Sequence, residues 1–420
     1  MNISTKHRVI NESYSLNEKK ILGFISESEP VATLNSIQVF WKKAIDYNIF
    51  DDQGNKWIDF TSGIFVANAG HSNPQIKMAI KQQIDSDLLF AYNYPTEIKA
   101  KFYQKIFELS PEHFNKIALL NSGSEAVDLA YKLIKLWATK NKKKYIITFR
   151  GSYHGRGLSN DLLSGNKEKA LWSNTSDDNV TFIDFPYDSG NVFDRSKLPN
   201  HSEIAAFMLE TFQGWGAWFY PQQYIDDLCC FAKEIGALIC FDEMQSGFYR
   251  IGHIYGYMTY NSNLKPDIIC LGKGITSSLP LSAVLSTSEI MDIDVLADLH
   301  GTHSGNCLCC AAALANLEFL SEANTQKHLV KVIAVFQNKL RELLKKAGAV
   351  KQVNSRGLIA GLIFENAHIA TNLAKKCVAQ GILPVCTNKN SIKLAPPLTI
   401  SEDALEEGMN VLIEIASTIR

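Results

Sequence analysis

The sequence has no excess of charge of either sign: 42 Lys and Arg stand against 43 Asp and Glu, a formal net charge of −1. Without a basic face there is no electrostatic footprint for nucleic acid or an anionic membrane, so neither is an expected partner. No apolar run approaches the roughly 20 residues that span a bilayer, and the opening stretch MNISTKHRVINESYSLNEKK has no apolar core of a secretory leader. A cytoplasmic location is therefore the expectation. Repeats, low-complexity tracts and heptads are absent, which excludes solenoids, tails and coiled coils. GKGITSS lacks the upstream glycine spacing of a phosphate-binding GxxxxGK[ST] loop. Nine cysteines are present, but Cys240 and Cys270 lie inside apolar runs, as buried free thiols in a reducing compartment do. Cys307, Cys309 and Cys310 fall in an alanine-rich helical pattern with no second ligand cluster, so no metal site is expected.

What is present is a chain of 420 residues with 46% hydrophobic residues, enough for about two globular domains. Short unbroken apolar runs at Lys116–Leu120, Tyr145–Phe149, 205–209, 237–241 and Ile268–Leu271 have the composition of strands buried on both faces of a parallel sheet. Helical periodicity separates them: Ala126, Leu129, Ala130, Leu133, Ile134 and Trp137 recur on one face of a helix starting near Ser124, and residues 224–238 repeat the pattern. Residues 39–60 read as a hairpin around Asp52, Gln53 and Gly54, followed by a helix begun near Asn73 and Pro74. Residues 162–199 turn polar and irregular, a surface excursion. From about Gln326 the order helix, QVNSRGLIAGLIF, helix, SIKLAPPLTIS, helix describes a compact α+β segment.

The runs stop at chemistry. One ends in Asp242 and Glu243 with Gln245 beyond; another ends in Gly272 and Lys273. Ligands of open α/β sheets sit outside the carboxyl ends of the strands, so an acid and a lysine would flank one ligand. A lysine can form a Schiff base with a carbonyl cofactor such as pyridoxal phosphate, and a buried carboxylate can keep its pyridine nitrogen protonated. Ser122, Gly123 and Ser124 open a helix directly after a strand, where N–H groups favour a phosphate, although taken alone they are better explained by a serine N-cap aided by Glu125. Tyr153, at a strand end between glycines, could stack on a cofactor ring, with His154 next to it. Glu210 ends a further run.

In this order the motifs FDEMQSG, PDIICLGKG, NSGSEA, YHG, HGTHSGN, RGLIAG and PPLTI resemble the class III (ω-type) aminotransferases, fold type I pyridoxal-phosphate enzymes, from about Val39 to the C-terminus. The resemblance implies an α/β fold. Its large domain would carry a mostly parallel seven-stranded-type sheet, and a smaller α+β domain would be built from the two chain ends. The boundaries would be 1–65 for an N-terminal segment joining the small domain, 66–310 for the large domain and 311–420 for the C-terminal small domain. It implies Lys273 as the Schiff-base lysine and Asp242 as the partner of the pyridine nitrogen, with Ser122, Gly123, Ser124, Tyr153, His154, Glu210 and Gln245 around the cofactor. It further implies Thr302 reaching the phosphate of a partner subunit in a homodimer, and an amino group moved from an amine donor to a carbonyl acceptor. Racemases, aminomutases and decarboxylases of the same family are the alternatives, a non-catalytic cofactor-binding protein a remote one.

Two positions depart from the family pattern. Trp215 stands where a glutamate is usual, and Lys393 where an arginine is. In glutamate-using members that arginine grips the donor carboxylate with two prongs, which a lysine cannot reproduce. Trp215, with Trp218 and Phe219 nearby, is expected to shape an aromatic wall for a bulky or non-standard substrate, and 4-aminobutyrate or ornithine to be poor ones.

Overall fold

A computed structural model of the chain describes residues 2–11, 14–33, 37–165, 171–188, 190–261 and 263–419. Backbone contacts divide it into two units. One comprises Pro74–Gly214 and Trp218–Ser321; the other comprises Met1–Asn73, Trp215–Ala217 and Glu322–Arg420. The sequence expectation places the divisions at 65/66 and 310/311; the units divide at 73/74 and 321/322, so that helix Cys307–Ser321 stays whole in the first.

The first unit is built on a seven-stranded sheet in the order Lys116–Leu120, Ser282–Ser286, Ile268–Leu271, Leu238–Asp242, Ile204–Glu210, Tyr145–Phe149, Val180–Ile183. Ser282–Ser286 runs antiparallel to both neighbours, and every other pairing is parallel. The central strands are buried along their whole length, which is why their sequences show no alternation. Helix Gly123–Lys140 covers one face, burying Ala126, Val127, Leu129, Ala130, Leu133 and Ile134 against Ala206, Met208, Cys240 and Cys270. Helix Cys307–Ser321 packs on helices Pro74–Asp85 and Glu97–Leu109. The irregular stretch 162–199 holds the edge strand Val180–Ile183, too short to show a pattern; its residues 166–170 and 189 lie outside the described ones.

In the second unit, the hairpin Asn48–Phe50 with Lys56–Asp59 is extended by Lys43–Ile45 on one side and by Val9–Ile10 and Ile3–Ser4 on the other. Ile382–Leu383 joins it in parallel, so both chain ends contribute to one sheet. A four-stranded antiparallel sheet, Gln352–Arg356, Ile359–Ile363, Ser391–Leu394 and Val385–Lys389, carries Lys393. The segment Trp215–Ala217 docks on it: Ser391 Oγ donates to the Trp215 carbonyl at 2.7 Å, and Asn354 Nδ2 to the Gly216 carbonyl at 2.9 Å. This approach explains Gly361, where an added Cβ would lie 2.0 Å from the Gly216 oxygen.

Candidate active site

Adjacent parallel strands Leu238–Asp242 and Ile268–Leu271 deliver Asp242 and, just past the second strand, Lys273 to one cavity of about 180 Å³. Gly123, Ser124, Tyr153, His154, Glu210 and Gln245 line it with them. Eight of the twelve residues singled out in the sequence thus converge. Ser122, Thr302, Trp215 and Lys393 do not line this cavity.

Asp242 is 4% exposed. Its Oδ1 accepts the Met244 N–H at 3.1 Å, and its Oδ2 lies 2.9 Å from Nδ1 of the buried His154, which must donate because a carboxylate can only accept. Glu243 points away from the cavity. Its carboxylate accepts from Thr211, Ser246 and the N–H groups of Gly256 and Tyr257 at 2.6–2.8 Å, anchoring the loop that follows the strand. The Asp-Glu pair therefore divides into a cavity residue and a structural one.

Glu210 is a carboxyl held nearly dry. Its Oε1 accepts the Tyr153 N–H at 3.0 Å and its Oε2 the Gly214 N–H at 3.1 Å. Burial, reinforced by Asp242 and opposed by His154 and those N–H groups, raises its pKa to about 7. Burial lowers the pKa of the Lys273 ammonium from its usual 10.5, with Asp242 and Glu210 pulling the other way, so the neutral amine becomes more accessible than in a solvated lysine. A Cβ on Gly214 would fall 2.1 Å from Gln245 Nε2 and 2.9 Å from Glu210 Oε2, so a side chain there would displace the cavity-lining Gln245.

The helix start at Ser122 is a complete capping box. Ser122 Oγ accepts the Glu125 N–H at 3.3 Å, and the Glu125 carboxylate accepts the Ser122 N–H at 2.6 Å. The Ser122 side chain is thereby committed to the cap, while Gly123 and Ser124 face the cavity. Arg156, which the sequence reading passed over, joins the two walls: its backbone N–H donates to Ser124 Oγ at 2.9 Å and its Nε to the Tyr153 hydroxyl at 3.3 Å. An Arg beside YHG carries no signal of its own in one sequence; only the contact reveals it.

Lys393, in the second unit, is 6% exposed and holds its ammonium 4.4 Å from the centre of the Phe65 ring. Phe65 ends a run of four left-handed residues, Ser62 to Phe65, with φ between 49° and 67°. Such backbone is costly for β-branched Ile64. The turn is held by Thr61 Oγ1 accepting the Gly63 N–H at 2.9 Å and by Ser62 Oγ donating to the Ala395 carbonyl at 2.7 Å. Trp215 has the Lys389 ammonium 5.2 Å over its ring. Thr302 is exposed in a turn.

Among the described residues, no group of three His, Cys, Asp or Glu side chains could hold a metal, and no helix is long and apolar enough to cross a membrane.

A family model for aminotransferase class-III matches residues 31–416. The acetylornithine aminotransferase of Clostridium acetobutylicum is 29% identical over 396 residues, 93% of this chain and 99% of that protein. Ornithine aminotransferase 2 of Staphylococcus saprophyticus is 30% identical over 363 residues, covering 85% of this chain and 88% of its own. Among solved structures, the ornithine aminotransferase of Toxoplasma gondii superposes with a TM-score of 0.86 at 23% identity, over 95% of this chain and 94% of that one.

The cavity fits the cofactor this family uses. Gly123, Ser124 and Gly155 bring a helix N-terminus to the cavity wall, where a phosphate is favoured, and a Cβ on Gly155, whose φ is +124°, would crowd Ser124 with Oγ at 2.5 Å and Cα at 3.1 Å. A buried carboxylate and a half-buried lysine at adjacent strand ends are the donor set that a protonated pyridine and an aldehyde need. The chain belongs to the class III aminotransferases, pyridoxal-phosphate enzymes that move an amino group from an amine donor to a carbonyl acceptor.

Proposed function

We propose that Lys273 and Asp242 form the chemical centre of this aminotransferase, and that its amino substrate is bulky or non-standard, with a carboxylate donor such as glutamate held through Lys393. The observation that supports the centre is the convergence of an ammonium and a buried carboxylate from neighbouring strand ends on one cavity. Pyridoxal phosphate supplies an aldehyde that takes up the amino group and a protonated ring that withdraws electrons. Asp242 would hold the proton on the ring nitrogen, aimed by its contacts with His154 and the Met244 N–H. Lys273, biased toward its neutral amine by burial, would carry the proton to and from the reacting carbon. Gly123 and Ser124 would bind the phosphate at the helix start, Tyr153 would lie against the ring, and Gln245 would meet its hydroxyl. Glu210 fixes Tyr153 through its backbone N–H.

The substrate reading rests on Lys393 and Trp215. An ammonium over the Phe65 ring attracts a carboxylate as a point charge and cannot fork onto both oxygens. Trp215 offers aromatic surface where the family motif that the sequence resembles has an acid. The rival reading comes from the relatives' names, ornithine and acetylornithine. A donor panel followed by the absorbance change of the bound cofactor separates the two. The expected result is slow reaction with ornithine, acetylornithine and 4-aminobutyrate, faster reaction with bulkier amines, and a KM for the carboxylate donor raised roughly tenfold in Lys393→Ala, the loss of one charge-assisted contact. Ornithine as the best donor, or unchanged donor kinetics in Lys393→Ala, would overturn the gate.

The enzyme works as a homodimer in which the partner subunit's Thr302 serves the phosphate. Support comes from a run of exposed apolar side chains, Leu88, Leu89, Phe90, Tyr92 and Tyr94, beside the Thr302 turn. Phe90 packs on His303 with ring centres 5.2 Å apart, and Tyr92 on His300 at 5.7 Å.

A further inference from the structure

Lys273 sits in left-handed backbone, φ +45°, and four residues later Ser277 does so again at +54°. Neither is a glycine, and conformations of this kind are costly for other residues, so they persist only where the surroundings over-determine them. The bonds inside the turn do part of this: the Ile275 N–H donates to the Gly272 carbonyl at 3.1 Å, and Thr276 Oγ1 donates to the Leu279 carbonyl at 2.5 Å. A further part comes from one side chain on helix Cys307–Ser321. Asn316 Nδ2 donates to the carbonyls of Gly274 and Ile275, both at 2.9 Å, and its Oδ1 accepts from Ser277 Oγ at 2.7 Å. Both amide hydrogens and the amide oxygen are thus committed to the five residues that begin with Lys273.

The position of Asn316 is as telling as its bonds. It is fully buried in helix Cys307–Ser321, whose buried face is otherwise cysteine, alanine and leucine. A primary amide in such surroundings is strongly unfavourable unless its hydrogen-bonding capacity is met. Packing alone would favour another alanine or leucine. The amide is explained by what it holds.

We propose that Asn316 is the positioning residue for Lys273. It fixes the carbonyls of the two residues after the lysine, locks Ser277, and so keeps the left-handed turn that directs the Lys273 amine into the cavity instead of letting it relax. This rests on the reading of Lys273 as the cofactor lysine, and the two can fail separately. Borohydride reduction of the cofactor-loaded protein followed by peptide mapping identifies the linked lysine; a label elsewhere sinks the site reading itself.

With the label on Lys273, three variants test the positioning role: Asn316→Ala, Asn316→Ser, which keeps one hydroxyl donor, and Ser277→Ala. For Asn316→Ala, kcat should fall about 10- to 100-fold with the donor KM little changed, the signature of a misplaced group and not of lost binding. Asn316→Ser should recover part of that loss. In the full-length protein freed of cofactor, the pH midpoint for labelling Lys273 with an amine-reactive reagent should rise toward 10.5 in Asn316→Ala, as the loosened amine gains solvent. A residue that only stabilises the fold would lower the melting temperature and leave both readouts alone. Wild-type kcat and midpoint in either soluble Asn316 variant would overturn the proposal. If neither folds, Ser277→Ala decides: a smaller shift in the same direction supports the role, and unchanged values make Asn316 a folding residue only.

Discussion

At the scale of single residues the cavity is a balance of charge in a dry place, and Glu210 shows which way it tips. Its folded-state pKa of about 7 lies above the ordinary 4.5, so the fold favours the protonated carboxyl. The contribution to stability is full below about 4.5 and is lost as pH rises through about 7, where the buried group must ionise beside Asp242. Glu210→Gln, neutral throughout, should therefore flatten the fall of melting temperature with pH across that window in the cofactor-free protein. Parallel slopes for variant and wild type would mean that Glu210 is already ionised when buried. Residues differ in how far the sequence discloses them. Asp242 and Lys273 are legible because each ends an apolar run, and strand ends are where ligands sit. Ser122 is ambiguous in the sequence, and the structure commits its side chain to the cap with Glu125. Arg156 and Asn316 act through contacts 32 or more positions away in sequence, Arg156 on Ser124 and Asn316 on the turn at 274–277, and nothing in their own neighbourhoods announces that.

Among elements, strands buried on both faces are the most legible, since five of the seven in the central sheet are continuous apolar runs matched to within a residue or two. The two others lack that mark. Val180–Ile183 is a short edge strand, half covered, in a polar stretch. Ser282–Ser286 is flanked by serines and pairs antiparallel, so neither its composition nor its direction follows from the alternation of strand and helix. The hairpin and helix of the first 28 residues are equally hidden, because helix Leu16–Ser28 buries little beyond Glu18. Where two elements touch backbone to backbone, a glycine records it. Gly361→Ala would place a methyl 2.0 Å from the Gly216 oxygen and 2.4 Å from its carbon, neither of which is the free end of a side chain. Either the strand or the Trp215–Ala217 segment must shift, at a cost of about 1–3 kcal/mol. A lowered urea midpoint is the expected outcome; an unchanged one would show that the segment yields without loss.

For the whole molecule, the question is what covers the apolar run from Leu88 to Tyr94. Phe90 is 46% and Tyr94 72% exposed, and the carbonyl of Leu89 accepts from Asn306 Nδ2 at 3.2 Å, so the run is tied to the same turn that presents Thr302. A patch of that kind on an enzyme is unfavourable in water unless a second surface meets it, and in a two-fold dimer the surface that meets it is its own copy. If the partner subunit's Thr302 completes each site, two separately defective chains repair one another. Lys273→Ala destroys the site in its own chain but leaves Thr302 intact for the neighbour; Thr302→Ala keeps Lys273 but fails to hold the neighbour's phosphate. Co-expressed with two different tags and purified as the mixed dimer, they assemble one damaged site lacking both groups and one whole site. The mixed dimer should then show about half of wild-type activity, the share of one intact site in a two-fold pair. The Thr302→Ala homodimer, by contrast, should shed its cofactor on dialysis. Should Thr302 act within its own chain, the mixed dimer would hold no intact site and would do no better than the Thr302→Ala chain. A catalytically competent monomer in sedimentation would remove the shared site altogether.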